Sequence, residues 1–329
     1  MKKCSVWLMS LSFLCLMSLV VVGATQEQPK KVTLAMTYIP NVQFAPWYVA
    51  VEKGFFKAEG IEVRFDYRMD IDALPLVAKG QLDFAIAGGD QVIAAQAQGI
   101  PVSYLACLYA KFPPAILSLE DKGIKEPKDL KGKKIGLPLY GTSLLATRAI
   151  LKKAGIKESE VSLVDIGYTQ IPSLTEGRVD AVVGFANNEP IKLKALGYKV
   201  NTIYAWNYFS LVGHGLITGT QTVKAKPKLV QGMVRATIQG MRYALDHPDE
   251  TFTICQKYLP ELGKAQIDQE KQILKASMDL WQNEYTQKKG LGYSEPKVWE
   301  NSQKLMKEMG IIKKIVPVTN FLKQNFLGK

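Results

Sequence analysis

Two short segments near the start of the chain carry side chains suited to binding a flat, polar molecule. Tyr38, Asn41 and Phe44 combine rings that can stack on a heterocycle with an amide that donates and accepts hydrogen bonds. Asp90 and Gln91 follow two glycines, whose small size lets backbone N–H groups approach a ligand. These residue types are typical of a site that binds a small molecule.

Two later segments add hydroxyl, amide and carboxylate groups. Tyr140, Thr142 and Ser143 stand at the predicted start of a helix, where free N–H groups suit an anion or a ligand hydroxyl. Asn188 and Glu189 follow a predicted strand and could pair with the N–H and C=O groups of a heterocycle. We therefore expect all four segments to face one ligand site.

Several of these residues also have a simpler structural interpretation. Asp90 and Thr142 suit helix capping, and Phe44 suits a hydrophobic core. Trp206 comes just before a predicted return strand and is a further candidate for the wall of the site. His214, in an apolar strand, is interpreted as structural.

Catalytic and metal-binding motifs are not evident in the sequence. Its two histidines are isolated, so they form neither a Ser-His-Asp arrangement nor a metal-ligand pattern. Cys107 and Cys255 lie far apart, so we interpret them as buried free thiols. We expect a protein that is not an enzyme and that needs no cofactor.

The elements that would position these residues alternate between strand and helix. Apolar strands such as 31–36 and DFAIAG are separated by helical patterns, which predicts a parallel α/β sheet. The pattern breaks near Pro113-Pro114, and a second α/β unit follows. From Lys226 onward the chain is mostly helical. Ligands bind such sheets at the carboxyl ends of strands, which is where the candidate residues are predicted to lie.

The predicted domain organisation has four parts. Residues 1–24 form a signal peptide, 25–114 the first part of lobe 1, 115–213 lobe 2, and 214–329 the return to lobe 1 with a helical C-terminal segment. The apolar run at 5–21 is also long enough to serve as an uncleaved membrane anchor. We favour cleavage and export to a periplasm, since an export signal without a disulfide framework fits that compartment.

The chain is basic, with a formal net charge of +12. The basic residues are spread along the sequence, and the densest cluster, 128–134, is interpreted as a solvated turn. We therefore expect no nucleic-acid partner, and we expect a monomer.

Residues 32 to about 310 resemble the ABC-importer solute-binding proteins of the thiamine-pyrimidine-like family, which also includes sulfonate, nitrate and riboflavin binders. The resemblance is carried by YIPNVQFAPWYVAVEKGFFKAEGI, KGQLDFAIAGGDQVIAAQAQGIPV, KDLKGKKIGLPLYGTSLLATRAIL, EGRVDAVVGFANNEP and YALDHPDE. It implies a two-lobed periplasmic-binding-protein (type II) fold, a ligand cleft between lobes that close by hinge motion, and a membrane permease as partner.

Within that family, YIPNVQFAPWYVA, IGYTQ and ANNEP are most similar to the riboflavin-binding branch. The branch that binds thiamine pyrimidine precursors usually has Trp in place of Tyr38 and His in place of Phe44. A pyrimidine binder and a sulfonate or nitrate binder remain alternatives. A related fungal pyrimidine synthase consumes a histidine at the position of Phe44 and needs clustered cysteines, both of which this chain lacks.

Overall fold

Two five-stranded sheets, each flanked by helices, form the two lobes of the protein. The computed structural model describes residues 28–69 and 71–328. The predicted signal peptide at 1–24 lies outside these residues. The α/β class and the two-lobed architecture that the sequence predicts are confirmed.

The first lobe is built on a sheet with the strand order β2-β1-β3-β10-β4. Its strands are β1 (Lys30–Ala35), β2 (Ile61–Asp66), β3 (Phe84–Gly88), β4 (Val102–Cys107) and β10 (His214–Gly219). Strand β10 runs antiparallel to both of its neighbours, whereas β1, β2 and β3 pair in parallel. Strands β3 and β4 are buried at every residue, which explains their continuous apolar sequence.

The second lobe repeats this arrangement with the order β7-β6-β8-β5-β9. Its strands are β5 (Pro114–Leu119), β6 (Lys134–Leu137), β7 (Ser162–Asp165), β8 (Ala181–Phe185) and β9 (Val200–Tyr204). Here β5 is the antiparallel strand. In each lobe the strand that arrives from the other lobe is therefore inserted, antiparallel, between two parallel strands.

Seven helices connect these strands, and six more follow the return strand. The connecting helices are α1 (Ala45–Glu52), α2 (Phe55–Ala58), α3 (Ala73–Ala78), α4 (Gly89–Ala97), α5 (Gly141–Lys153), α6 (Gln170–Thr175) and α7 (Glu189–Ala195). The C-terminal helices are α8 (Thr220–Ala225), α9 (Pro227–Asp246), α10 (Pro248–Gln256), α11 (Ile267–Leu280), α12 (Glu284–Lys289) and α13 (Pro296–Glu308). No helix in the part of the chain described here is long and apolar enough to cross a bilayer.

The C-terminal helices pack mainly on the first lobe. Helix α9 packs against α1 so closely that a Cβ on Gly240 would lie 2.0 Å from the carbonyl oxygen of Pro46. Helix α11 contacts a short 3-10 helix, Val42–Phe44, and also α7 of the second lobe. The helical C-terminal segment thus supports the first lobe and reaches the second.

Two chain crossings, residues 108–113 and 205–213, join the lobes and lie side by side. The backbone N–H groups of Leu108 and Tyr109, in the first crossing, donate to the carbonyl oxygen of His214 at the end of the second, over 2.9 and 3.0 Å. The N–H of Gly89 donates to the carbonyl of Gly213 over 3.0 Å. These bonds fix the crossings to each other and to the start of α4, and hinge motion of the lobes would act here.

We expect that the backbones of the two crossings can lie this close together only because residue 213 is glycine. A Cβ there would lie 2.1 Å from the carbonyl oxygen of Tyr109, so a Gly213→Ala variant must shift backbone. Such overpacking lowers the free energy of unfolding by about 1–3 kcal/mol. Urea denaturation measures the change.

Gly263→Ala is the matched control, because a Cβ at Gly263 would make only an ordinary contact at 3.5 Å with Gln266. Its free energy of unfolding should change by less than about 1 kcal/mol, the size of a lost glycine cap. Equal losses in the two variants would contradict the assigned role of Gly213.

Candidate functional site

A cavity of about 760 Å³ lies between the lobes, at the carboxyl ends of the strands of both sheets. Its wall includes Tyr38 just after β1, Leu108 after β4, Pro138 after β6, Tyr168 after β7 and Phe185 at the end of β8. Ligands of open α/β sheets bind at this position, and the volume is within the roughly 300–1,000 Å³ of small-molecule sites. This cavity is the candidate ligand site.

Eight of the eleven residues singled out in the sequence line this cavity. They are Tyr38, Phe44, Gln91, Tyr140, Thr142, Ser143, Asn188 and Glu189. The first three belong to the first lobe and the others to the second. The other three residues, Asn41, Asp90 and Trp206, are not part of the lining.

Asn41 and Trp206 have structural roles instead. The side-chain oxygen of Asn41 accepts a hydrogen bond from the N–H of Gln43 over 3.0 Å and so caps the 3-10 helix that follows. The ring of Trp206 stacks on Tyr204, with centroids 4.6 Å apart and planes 12° apart. Neither side chain is therefore placed to contact a ligand in the cavity.

The expected capping roles of Asp90 and Thr142 are also wrong. Helix α4 begins at Gly89, and α5 begins at Gly141, so each residue is the second of its helix. Their side chains contact each other: Thr142 Oγ1 donates to Asp90 Oδ1 over 2.8 Å. This hydrogen bond joins the first turns of two helices from different lobes.

Three tyrosines of the cavity wall join the lobes through their rings. Tyr38 of the first lobe contacts Tyr168 of the second edge to face, with ring centroids 5.6 Å apart. The hydroxyl of Tyr140 donates to that of Tyr168 over 3.1 Å. A flat ring held between two parallel rings needs them roughly 7 Å apart, which is twice a contact distance of about 3.5 Å. Tyr38 and Tyr168 are therefore too close for a ligand ring to lie between them in this arrangement.

A second group of rings, Tyr109, Phe185 and His214, lies on the cavity wall where the crossings meet. Phe185 and His214 are 5.2 Å apart, and Tyr109 lies within 6.5 Å of both. His214 was not predicted to lie here, because its apolar neighbours in the sequence resemble those of a core residue. Its position at the first residue of the return strand is the signal that could have indicated the site.

His214 lines the cavity and holds one polar atom without a partner in the described part of the chain. Its Nδ1 is buried and has no hydrogen-bond partner among the described residues. Burial lowers the pKa of His214 to about 4, so the ring is neutral near pH 7. A neutral imidazole can donate or accept one hydrogen bond at this atom.

Asn188 and Glu189 form a compact polar group at the end of β8. Glu189 Oε2 accepts from the N–H of Phe185 over 2.6 Å, and Glu189 Oε1 accepts from the amide of Asn188 over 2.9 Å. A Cβ on Gly184 would lie 2.7 Å from Glu189, so glycine is needed beneath the carboxylate. Asn188 Oδ1 is buried without a partner among the described residues. The group therefore contains an unpaired acceptor that is enclosed in the cavity wall in this arrangement.

Burial raises the pKa of two side chains in this part of the wall, Glu189 and Tyr38. It raises the pKa of Glu189, although hydrogen bonds from Phe185 and Asn188 and the charge of Lys192 act in the opposite direction. Burial and then the charge of Glu189 raise the pKa of Tyr38, which stays a neutral phenol. Tyr38 thus remains a hydrogen-bond donor as well as an aromatic surface.

A buried polar cluster joins the lobes behind the cavity. Asn187 Nδ2 donates to Gln43 Oε1 over 2.9 Å and to Ser277 Oγ over 2.8 Å. The hydroxyl of Tyr109 also donates to Gln43 Oε1, over 2.9 Å. Asn187 belongs to the second lobe and the others to the first lobe, its crossing and α11, so this cluster holds the lobes together.

The cavity wall carries no lysine or arginine among the residues that the structure describes, although the chain has a net charge of +12. The carboxylates among these lining residues are Asp72 and Glu189. Within residues 28–69 and 71–328 there is also no group of three or more side chains suited to a metal ion. The described wall can therefore offer stacking, hydrogen bonds and negative charge, but no guanidinium or ammonium group for an anion.

The burial of Asp90 predicts a measurable pH effect. Desolvation raises its pKa to about 6, against hydrogen bonds that lower it. A raised pKa in the folded state gives stability that is present below the unfolded value near 4 and lost as pH rises through about 6. We expect the free energy of unfolding of the wild type, relative to Asp90→Asn, to increase by about 1 kcal/mol from about pH 7.5 to about pH 5.

Chemical denaturation at the two pH values measures this difference, in which the other titrating groups cancel. A difference between wild type and variant that stays constant with pH would contradict the buried, ionisable state of Asp90.

The comparisons with known proteins agree with this fold and cavity. Residues 41–251 match the family described as NMT1/THI5 like. The chain is 36% identical over 310 residues to the riboflavin-binding protein RibY of Chloroflexus aurantiacus, covering 92% of this chain and 88% of that protein. It is 26% identical to the formylaminopyrimidine-binding protein of Halalkalibacterium halodurans, with 70% and 72% covered.

Solved structures share the fold at lower identity. The alkanesulfonate-binding protein SsuA from Xanthomonas axonopodis pv. citri, bound to MOPS, superposes with a TM-score of 0.69 at 14% identity. The match covers 90% of this chain and 99% of SsuA. The two-sheet architecture is thus that of periplasmic binding proteins, and the chain belongs to the NMT1/THI5-like family.

Proposed function

We propose that this protein is the solute-binding component of an ABC importer and that it captures a neutral, flat heterocycle, with riboflavin favoured. The observation that carries the proposal is the cavity between the lobes, which is lined by aromatic and polar groups, two carboxylates among them, and by no lysine or arginine among the described residues. The similarity to a riboflavin-binding protein over nearly the whole chain supports the same ligand.

The polar groups of the cavity suit the edge of a flavin ring. That edge has an imide N–H between two carbonyl groups, and the ring is planar. Asn188 Oδ1 can accept from the N–H, while His214 Nδ1 can donate to or accept from a neighbouring ring atom. Both atoms are buried and unpartnered among the described residues, and a buried group left unpaired costs about 1–3 kcal/mol. A ligand would recover that free energy once the two side chains turn toward the cavity, because neither atom is accessible from it in this arrangement.

The ribityl chain of riboflavin carries hydroxyl groups that need partners of their own. Gln91, Ser143 and Gln170 line the cavity from both lobes and can supply them. A binding site with such fixed partners rejects analogues that leave them unpaired. We propose that the ring lies against Tyr38 and Phe185 and that the ribityl chain faces the first turn of α5.

Capture would follow from closure of the lobes. Tyr38 and Tyr168, which belong to different lobes, are in contact here, and we propose that opening at the crossings separates them and admits the ligand. Closure would bury the ring and present both lobes together to a membrane permease. We propose that the protein acts as a monomer outside the cytoplasmic membrane, after removal of the segment at 1–24.

A pyrimidine precursor of thiamine is the second candidate. The similarity to a formylaminopyrimidine-binding protein favours it, and Asn188 could pair with a pyrimidine edge as with a flavin edge. A sulfonate or nitrate ligand is less well supported, since the wall has no basic group among the described residues to hold an anion. An enzymatic role has little support, because Phe44 occupies the position at which the related synthase has its reacting histidine.

We predict that the protein expressed from residue 25 to residue 329 binds riboflavin and that Tyr38→Ala weakens binding roughly tenfold. The tyrosine supplies an aromatic contact of about 0.5–1.5 kcal/mol in addition to the apolar area it buries. Equilibrium dialysis with detection by riboflavin fluorescence measures both dissociation constants without relying on tryptophan signals.

Trp206→Phe is the matched control, because Trp206 is an aromatic candidate from the sequence that lies outside the cavity. Its affinity for riboflavin should equal that of the wild type. Similar losses in the two variants would move the ligand away from Tyr38, and no binding by the wild type would favour the pyrimidine precursors.

We also predict that the ligand is released unchanged. The wild type is incubated with riboflavin, the protein is denatured in the dark, and the supernatant is analysed by liquid chromatography and mass spectrometry. Full recovery of riboflavin is expected from a binding protein. Conversion that depends on native protein would instead show an enzyme.

A further inference from the structure

We infer that the Asp90 carboxylate acts as a built-in anion between the lobes, filling a position that would otherwise attract an anionic ligand group, and so disfavours anionic ligands in the cleft. The inference concerns ligand class and goes beyond the identity of the heterocycle. It relies on the proposed function only where riboflavin itself is used as a probe.

Two helix N-termini meet at this position. Asp90 and Thr142 are the second residues of α4 and α5, which have nine and thirteen residues. The positive ends of two helix dipoles would repel each other unless an anion lies between them. The 2.8 Å hydrogen bond from Thr142 Oγ1 to Asp90 Oδ1 places a carboxylate there. Backbone N–H groups of Asp90 and Gln91 also interact with this carboxylate.

The carboxylate fits tightly. Asp90 is 4% exposed and Thr142 is 6% exposed. A Cβ on Gly88 would lie 2.3 Å from Asp90 Oδ1 and 2.5 Å from Thr142 Oγ1. The contact therefore fills the space against the backbone of Gly88, and no ligand oxygen can share it.

The contact also adjoins the ligand cavity. Gln91 and Thr142, the residues on either side of the carboxylate, both line the cavity, as does Ser143. A phosphate or sulfonate that approached the first turn of α5 would meet the negative charge of Asp90. Because no lysine or arginine in the described lining compensates, that charge opposes any anionic group at this end of the cavity.

Because of this contact, closure of the lobes does not need a charge on the ligand. In a protein whose ligand carries the anion, the ligand would complete the two helix ends, and closure would depend on its charge. Here the first lobe supplies the anion to the second. The lobes can therefore meet around a ligand that contributes only stacking and uncharged hydrogen bonds.

The first test uses inorganic phosphate on wild type and Asp90→Ala, with sodium chloride at equal ionic strength as reference. Removing the carboxylate frees Thr142 and the helix N–H groups, so phosphate should raise the melting temperature of Asp90→Ala by about 2 °C. The wild type should show no phosphate-specific shift. Asp268→Ala is the control, since Asp268 is likewise the second residue of a helix, α11, but is exposed and lies outside the cavity.

A second variant keeps the test decisive if Asp90→Ala does not fold. Asp90→Asn retains a hydrogen-bond acceptor for Thr142 and loses the charge. The wild type should bind riboflavin at least about tenfold more tightly than riboflavin 5′-phosphate, and this ratio should fall severalfold in Asp90→Asn but not in Asp268→Asn.

The outcomes separate the two proposals. A phosphate shift confined to Asp90→Ala, or a reduced ratio confined to Asp90→Asn, supports the built-in anion. An equal phosphate shift in the wild type, or no shift in a folded Asp90→Ala, overturns it. The phosphate arm uses no riboflavin, so failure of riboflavin to bind would count against the proposed function alone.

Discussion

The pairing of the two crossings is the constraint on which the cleft depends. Because Leu108 and Tyr109 donate to the carbonyl of His214, the segments that leave and re-enter the first lobe lie side by side. Each crossing continues directly into the antiparallel strand of a sheet, so this pairing orients the carboxyl ends of both sheets toward one space. The ligand cavity is the result of that orientation rather than of any one loop.

Polar contacts between the lobes divide into two kinds. The cluster of Asn187, Gln43 and Ser277 lies behind the cavity and is joined through Asn187 Nδ2, although Asn187 Oδ1 has no partner among the described residues. Asn188 and His214 line the cavity, and each also keeps one buried polar atom without a partner among the described residues. Buried polar groups are normally paired, so a ligand is one way to pair these two atoms. The proposed recognition of a heterocycle edge rests on them.

The sequence predicted the alternation of strands and helices well, because buried strands are continuously apolar and helices carry clear periodicity. It did not predict α7 and β9, where lysines and a half-exposed edge strand weaken both signals. The roles of individual side chains were harder to predict from the sequence. Asn41 was expected to contact a ligand but caps a helix, and the 52-residue separation of Asp90 from Thr142 concealed their contact. Such pairings depend on how the lobes meet, and a local pattern does not carry that information.

The most direct test of this account is a crystal structure of the protein with riboflavin bound at neutral pH. The account predicts the flavin ring inside the cleft against Tyr38, with its N–H directed at Asn188 Oδ1 and the contact between Asp90 and Thr142 intact. A ring bound outside the cleft, or a ligand group that displaces Asp90 from Thr142, would contradict it.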